Sequence, residues 1–402
     1  MILELNYWLG VGCAFIIFWR LPFRIRMYFV ATTSFALLIF LDLVGTWVLL
    51  ALTIACYFAA PHCDTQTRRG KWLARGIVGA LVANLAYFKF IPGLFFATAS
   101  VQRSAEDFLI PLGISYYTFK LIHYVVEASR SKLTDHAIDS FLAYIFLYPI
   151  FTAGPIERFD HFVNQREEKW QLAGTAYGLT RIVHGLIKRF VLVDLLYPGN
   201  YLTVGTAQQL VARIYVLPTH EVWAFLLLTY WALYMEFSAY SDVAIGTSRL
   251  FGLRIMENFN FPILASNISE FWKRWHMTLA GWCQTYVYLP LIGAARRPFL
   301  AIVTTFIVMG MWHSGSLQWL SWGIYHGLGV YLYLVWSRFR RRRFAAAEHW
   351  VLRVLGVLLT NLYVAAAGAF VALGENATII DSIRVFRKLV FILDLSVQQV
   401  FS

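Results

Sequence analysis

Apolar segments separated by short polar breaks run the length of this chain. They fall near residues 7–19, 27–44, 46–60, 76–98, 108–127, 138–153, 174–197, 222–252, 299–313, 317–337, 350–373 and 379–396. A helix rising 1.5 Å per residue needs about 20 apolar residues to cross roughly 30 Å of hydrocarbon. Because some segments are short or interrupted, the pattern predicts an all-α polytopic membrane protein with about eleven transmembrane helices. Two stretches do not read as simple spans. Pro149–Phe159 carries helix breakers in an apolar setting, and Asn258–Gly293 mixes charges, aromatics and prolines. Irregular backbone at membrane depth is tolerated only under protein cover or along a cavity, so both are expected to be re-entrant or interfacial and to shape a central pocket.

Composition agrees. The 402 residues are 59% hydrophobic and 14% charged, whereas soluble domains are nearer 45–50% apolar and about 25% charged. No polar stretch is long enough to fold alone, so a single membrane-embedded domain over 1–402 is expected. The formal charge of +12 gathers in Arg20–Arg26, Arg68–Arg75 and Arg338–Arg343. By the positive-inside rule these loops lie in the cytoplasm, which puts the N-terminus outside. A basic face also attracts anionic lipid or an acidic partner. The start at Met1–Asn6 has neither a basic region nor a small-residue cleavage site, so no cleaved signal peptide is expected. Cys13, Cys56, Cys63 and Cys283 are too scattered for a zinc site or disulfide framework. No Gly-x-Ser-x-Gly elbow, Walker loop or nucleic-acid module is present.

His313 is the main chemical candidate. It follows the 14-residue apolar run Phe299–Trp312, so as part of a membrane helix it lies below the membrane surface. A titratable group there faces a protein interior or a wet cavity, and histidine is suited to proton transfer near neutral pH. A second candidate, His276, follows Asn267-Ile268-Ser269-Glu270, which reads as a helix start with an Asn N-cap. The helix is expected to run on to Leu279, with Phe271, Trp275, Leu279 and Trp282 on one face, Glu270 paired to Arg274, and His276 at the edge. His326 reads as a packed helix residue. Glu236 and Asp242 sit in an apolar segment and need partners, with Arg249, Lys273 and Arg274 as candidates.

Six segments in order resemble the membrane-bound O-acyltransferase family: Pro111–Phe119, Ala153–Phe159, Tyr240–Gly246, Glu257–Pro262, Phe271–His276 and Met309–His313. With the matching positions that follow, they define a core over 111–327. The resemblance implies a ring of helices around a thin centre with a tunnel. It also implies transfer of an acyl group from a cytoplasmic thioester to an extracytoplasmic hydroxyl. His313 would be the general base, His276 would position substrate or stabilise charge at the carbonyl oxygen, and Trp312, Trp275, Asn258, Asp242, Glu236 and Arg274 would bind or support. Bacterial members acting on cell-envelope polymers look most similar. Gly154–Phe159, Asn258–Pro262 and the chain length are similar to the D-alanyl transferases of teichoic acid modification, whereas Tyr240–Gly246 and Tyr288–Leu291 look more like alginate-type O-acetyltransferases. The D-alanyl type implies an acidic acyl carrier protein with a phosphopantetheine thioester as donor and a further transferase outside as a possible partner, in the bacterial cytoplasmic membrane. No bound cofactor or metal and no nucleic acid is implied. The chain departs from the family pattern at Ser314, which precedes Gly315 where glycine usually follows Trp-His, at Gln284-Thr285 in place of Arg-Asp, and at Glu236 in place of Asp. A proton-coupled transporter using the buried His, Glu236 and Asp242, or a scaffold for an envelope-modification complex, are the alternatives from other classes.

Overall fold

A computed structural model of the chain describes residues 5–98, 110–133, 136–343, 350–374 and 377–390. Residues 1–4 of the predicted start, 108–109 of one predicted span and 391–396 of the last lie outside them. Among the described residues there is no strand, only an isolated antiparallel bridge between Arg166 and Leu253. Among the described residues five helices are long and apolar enough to cross a membrane, fewer than the eleven or so expected: Phe23–Leu41, Leu43–His62, Arg68–Phe90, Thr219–Leu250 and Trp350–Val371. Backbone packing divides the chain into two compact units. The first comprises Met1–Leu186 with Tyr240–Glu257, and the second Ile187–Ala239 with Asn258–Ser402.

The first unit contains α1 (Leu5–Arg20), α2 (Phe23–Leu41), α3 (Leu43–Ala59), α4 (Arg68–Thr98), α5 (Ile114–Ser129), α6 (Ile138–Phe146) and α7 (Leu172–Ile187). Asp42 separates α2 from α3. Its carboxylate accepts from Gly45 N at 2.8 Å, capping the new helix, and from Leu112 N at 2.7 Å. The predicted irregular stretch is confirmed, since only a short 3-10 turn, Tyr148–Ile150, precedes the loop to Phe159. Glu157, 1% exposed, explains that loop. Its carboxylate accepts from Met256 N at 2.8 Å, Arg158 N at 3.1 Å and His161 Nδ1 at 2.7 Å. The bond to Glu157 raises the His161 pKa above the ordinary histidine value. A buried carboxylate with three donors is satisfied, and it anchors this loop.

Helix α8 (Thr219–Leu250) belongs to the second unit as far as Ala239 and to the first beyond it. The second unit continues with α9 (Met277–Cys283), α10 (Pro298–His313), α11 (Leu317–Arg343), α12 (Trp350–Val371) and α13 (Ile379–Val390). The α10–α11 hairpin has the most extensive helix–helix packing. Glycines allow it. A Cβ on Gly310 would stand 2.3 Å from the Trp319 carbonyl oxygen, and one on Gly323 would stand 2.5 Å from that of Phe306. Backbone contact through small residues is the usual basis of helix association where lipid competes for apolar faces.

Candidate active site

The segment around His276 is not the continuous helix its pattern predicts. Asn267 does cap a helix, accepting from Glu270 N at 2.8 Å, but that helix ends at Phe271. His276 sits in the left-handed region at φ +42°, and α9 starts after it. The expected apolar face is therefore broken. Side chains with a Cβ adopt this conformation at a cost of roughly 1–3 kcal/mol, and such strain gathers at functional sites. Backbone pairing holds the kink: Asn260 N donates to Arg274 O at 2.9 Å, and Met277 N to Asn258 O at 2.9 Å. This second bond brings Asn258 beside His276.

The geometry of this corner fixes a proton. His276 is 2% exposed, and its Nδ1 lies 2.9 Å from Asn258 Oδ1. An amide oxygen only accepts, so Nδ1 carries the hydrogen. Thr278 Oγ1 donates to the same oxygen at 2.8 Å, which orients the amide. Burial, with a contribution from nearby His313, moves the His276 pKa well below the ordinary value. The neutral ring therefore presents a lone pair at Nε2, a buried atom with no hydrogen-bond partner among the described residues. Phe237 closes one side of the ring edge-on at 4.8 Å.

Trp312, 8% exposed, contacts both histidines, with its ring centroid 6.2 Å from His276 and 4.5 Å from His313. His313 is the last residue of α10 and is exposed, not enclosed as its place after an apolar run suggests. The helix ends there because Ser314 turns extended. The His313 ring lies on Trp319 of α11 at 4.2 Å and 15°, with Trp322 edge-on at 6.0 Å. A cavity of about 400 Å³ in this unit is lined by Trp272, Met277, Gln284, Phe306 and Met309, so the irregular Asn258–Gly293 stretch lines a cavity, but neither His276, His313 nor the Pro149–Phe159 stretch is among its lining residues. Among the described residues no three His, Cys, Asp or Glu groups come together as a metal site.

The other predicted residues serve packing and ion pairing. Trp275 stacks on Phe271 at 5.5 Å and meets Tyr230, Tyr234 and Phe259. Arg274 pairs with Glu270 at 2.8 Å, as predicted. Glu236 lies 3.6 Å from Arg189, and Asp242, in the first unit, pairs with Arg181. Arg181 also grips Glu257 through two 2.9 Å bonds. The suggested partners Arg249, Lys273 and Arg274 are thus replaced. Arg249 pairs with Glu167 at 2.8 Å. Arg181 and Arg189 were legible, with Lys188, as cations in the apolar segment 174–197, which need counter-charges by the same logic as the acids. Thr278, Trp319 and Trp322 carried no signal beyond ordinary polar and aromatic content.

The family profile described as "MBOAT, membrane-bound O-acyltransferase family" matches residues 25–373. A probable alginate O-acetylase from Pseudomonas aeruginosa is 32% identical over 276 residues, 64% of this chain and 50% of that protein. A teichoic acid D-alanyltransferase from Bacillus subtilis is 24% identical over 363 residues, 85% of this chain and 89% of the relative. A peptidoglycan O-acetyltransferase from Helicobacter pylori is 26% identical over 67% of this chain and 56% of the relative. The chain spans about half the length of the Pseudomonas aeruginosa protein it matches.

Proposed function

Because the chain belongs to the membrane-bound O-acyltransferase family, we propose that it moves an acyl group from a thioester donor to a hydroxyl of a cell-envelope polymer or intermediate. The observation that carries this reading is the pair of histidines that both contact Trp312, His276 buried with an open lone pair at Nε2 and His313 at the exposed end of its helix. His313 is the general base, taking the hydroxyl proton as that oxygen attacks the thioester carbonyl. The tetrahedral adduct collapses as the C–S bond breaks, the thiolate leaves and takes up the proton held by His313, and no covalent enzyme intermediate is needed. His276 positions the acceptor by receiving at Nε2 a hydrogen bond from a neighbouring hydroxyl or amide of the acceptor, not from the reacting hydroxyl, whose proton goes to His313. With Nδ1–H engaged by Asn258, neutral His276 has no proton to offer a carbonyl oxygen, which argues against the charge-stabilising role implied by resemblance.

The D-alanyl group is the proposed cargo, supported by a match that runs over most of both this chain and the Bacillus subtilis D-alanyltransferase. Its donor would be the phosphopantetheine thioester of an acidic carrier protein, docking on a basic cytoplasmic face in the bacterial cytoplasmic membrane, with the N-terminus outside. Acetyl is the second reading, favoured by the higher identity to the Pseudomonas aeruginosa protein. The deciding experiment measures acyl loss from D-alanyl carrier protein and from acetyl-coenzyme A, with envelope acceptors, by wild type and by a protein lacking His313. Turnover of one donor by wild type alone supports the reading and names the acyl group. Proton or substrate flux without acyl transfer would favour the transporter.

Two further results are expected. Carrier-dependent turnover falls as salt rises from 50 to 500 mM, roughly the range over which the screening length shrinks from about 14 to 4 Å. Salt-independent turnover removes the electrostatic docking. Asn258→Leu lowers kcat about ten- to hundred-fold with KM little changed, because the tautomer of His276 is released. Wild-type kcat in that variant, or in His276→Ala, rules out the positioning role.

A further inference from the structure

The cavity beside α10 and α11 opens toward a collar of arginines, and we propose that the two together bind one anionic phospholipid, with its phosphate at the arginines and one acyl chain in the cavity. The register of the hairpin sets them side by side. Gly310 lies against Trp319, Gly323 against Phe306 and Gly327 against Val303, and the rings of Phe299 and Tyr331 meet at 5.1 Å. Continued by one turn, that antiparallel register puts Arg296 and Arg297 beside Tyr333 and Leu334. Leu334 lines the cavity together with Ile302, Phe306 and Val330. Arg338 follows Leu334 by one helical turn, and Arg340 and Arg342 continue the same end of α11. The cavity, about 400 Å³, falls within the roughly 300–1,000 Å³ of sites that take small molecules.

Charge selects the head group. Arg296, Arg297, Arg338, Arg340 and Arg342 are exposed, and none is in an ion pair among the described residues. Neither α10 nor α11 contains an Asp or Glu to neutralise them. Lys273 adds a further cation on the cavity wall. Arginine takes phosphate oxygens through paired N–H donors, and basic pockets between membrane helices hold anionic head groups in this way. The surface around the collar favours lipid over an acidic protein. Phe299, Leu300, Leu332 and Trp336 are exposed on the same end of the hairpin. Apolar and aromatic side chains interleaved with arginine suit the boundary between hydrocarbon and head groups, whereas a soluble partner would leave much of that apolar surface in water.

The test titrates the full-length protein in detergent with dioleoyl phosphatidylglycerol or dioleoyl phosphatidylcholine and counts bound lipid by native mass spectrometry. Wild type is expected to hold one phosphatidylglycerol at least about ten-fold more tightly than phosphatidylcholine. Arg338→Gln weakens phosphatidylglycerol about five-fold, and the triple variant Arg296→Gln, Arg297→Gln, Arg338→Gln about a hundred-fold, with phosphatidylcholine unmoved. The triple variant Arg68→Gln, Arg69→Gln, Lys71→Gln removes the same charge from the other unit and stays within about two-fold of wild type. Ala280→Leu, which adds bulk to the cavity wall, weakens both lipids. Equal affinity of wild type for the two lipids, collar variants that bind as wild type does, an equal loss in the charge control, or unchanged binding in Ala280→Leu each overturns the assignment. Displacement of the lipid by glycerol 3-phosphate alone overturns it too, since the collar would then take a free anion and the cavity nothing. Intact lipid binding in collar variants that no longer bind an acidic carrier protein gives the arginines to a protein partner instead. Where the triple collar variant or Ala280→Leu does not fold, Arg338→Gln, at an exposed position, decides: a loss confined to phosphatidylglycerol supports the site, and no loss overturns it.

Discussion

Replacing His313 with alanine is expected to lower acyl transfer by about a hundred- to ten-thousand-fold, the usual contribution of a positioned general base. The loss falls on kcat, because the imidazole acts on the hydroxyl proton as the new bond forms and contributes little to holding either substrate. The fold should survive. His313 is an exposed residue at the end of α10, and removing its ring opens no cavity in the core. Size-exclusion behaviour and thermal stability close to wild type are therefore expected alongside the lost turnover. Wild-type rates in the variant would remove His313 from the chemistry. A lost rate with a collapsed fold would leave a structural role as the sufficient explanation.

The second large effect is on stability. Gly310→Ala is expected to destabilise the protein by about 1–3 kcal/mol, although alanine is the better helix former. The added carbon would stand 2.3 Å from the Trp319 carbonyl oxygen, and a backbone atom cannot swing aside as a side-chain tip can, so α10 and α11 must part. Gly79 on α4 is the control. A Cβ there has nothing within 4 Å, so Gly79→Ala should be neutral or stabilising by up to about 1 kcal/mol. Thermal unfolding in one detergent reads both. Equal stability for the two variants would mean that the α10–α11 contact tolerates separation.

Much of the fold was legible because burial in lipid imposes a one-dimensional rule. Long apolar runs must close their own hydrogen bonds, and α2, α3, α4, α8 and α12 appear where hydropathy put them. Local chemistry was legible too: Asp42 punctuates α2 and α3, Asn267 caps its helix, and Glu270 finds Arg274 one turn on. Reasoning by helical period failed at His276, where pairing between the Asn258–Asn260 and Arg274–Met277 segments overrides local propensity and forces a left-handed turn. The partners of Asp242 and Glu236 were missed because an ion pair across elements leaves no spacing to read.

The amino-acid sequence by itself determined the five helices long and apolar enough to cross a membrane and the two irregular stretches, and it singled out both histidines as candidates, since each follows from composition, short-range spacing or ordered motifs. Only the tertiary structure decided which nitrogen of His276 holds the proton, that Trp312 contacts both imidazoles, and that the Trp319 ring stacks on His313. Those facts depend on contacts between residues far apart in the chain, and a hydrogen bond or a ring stack is set by positions in space to within a few tenths of an ångström, which no periodicity along a sequence encodes.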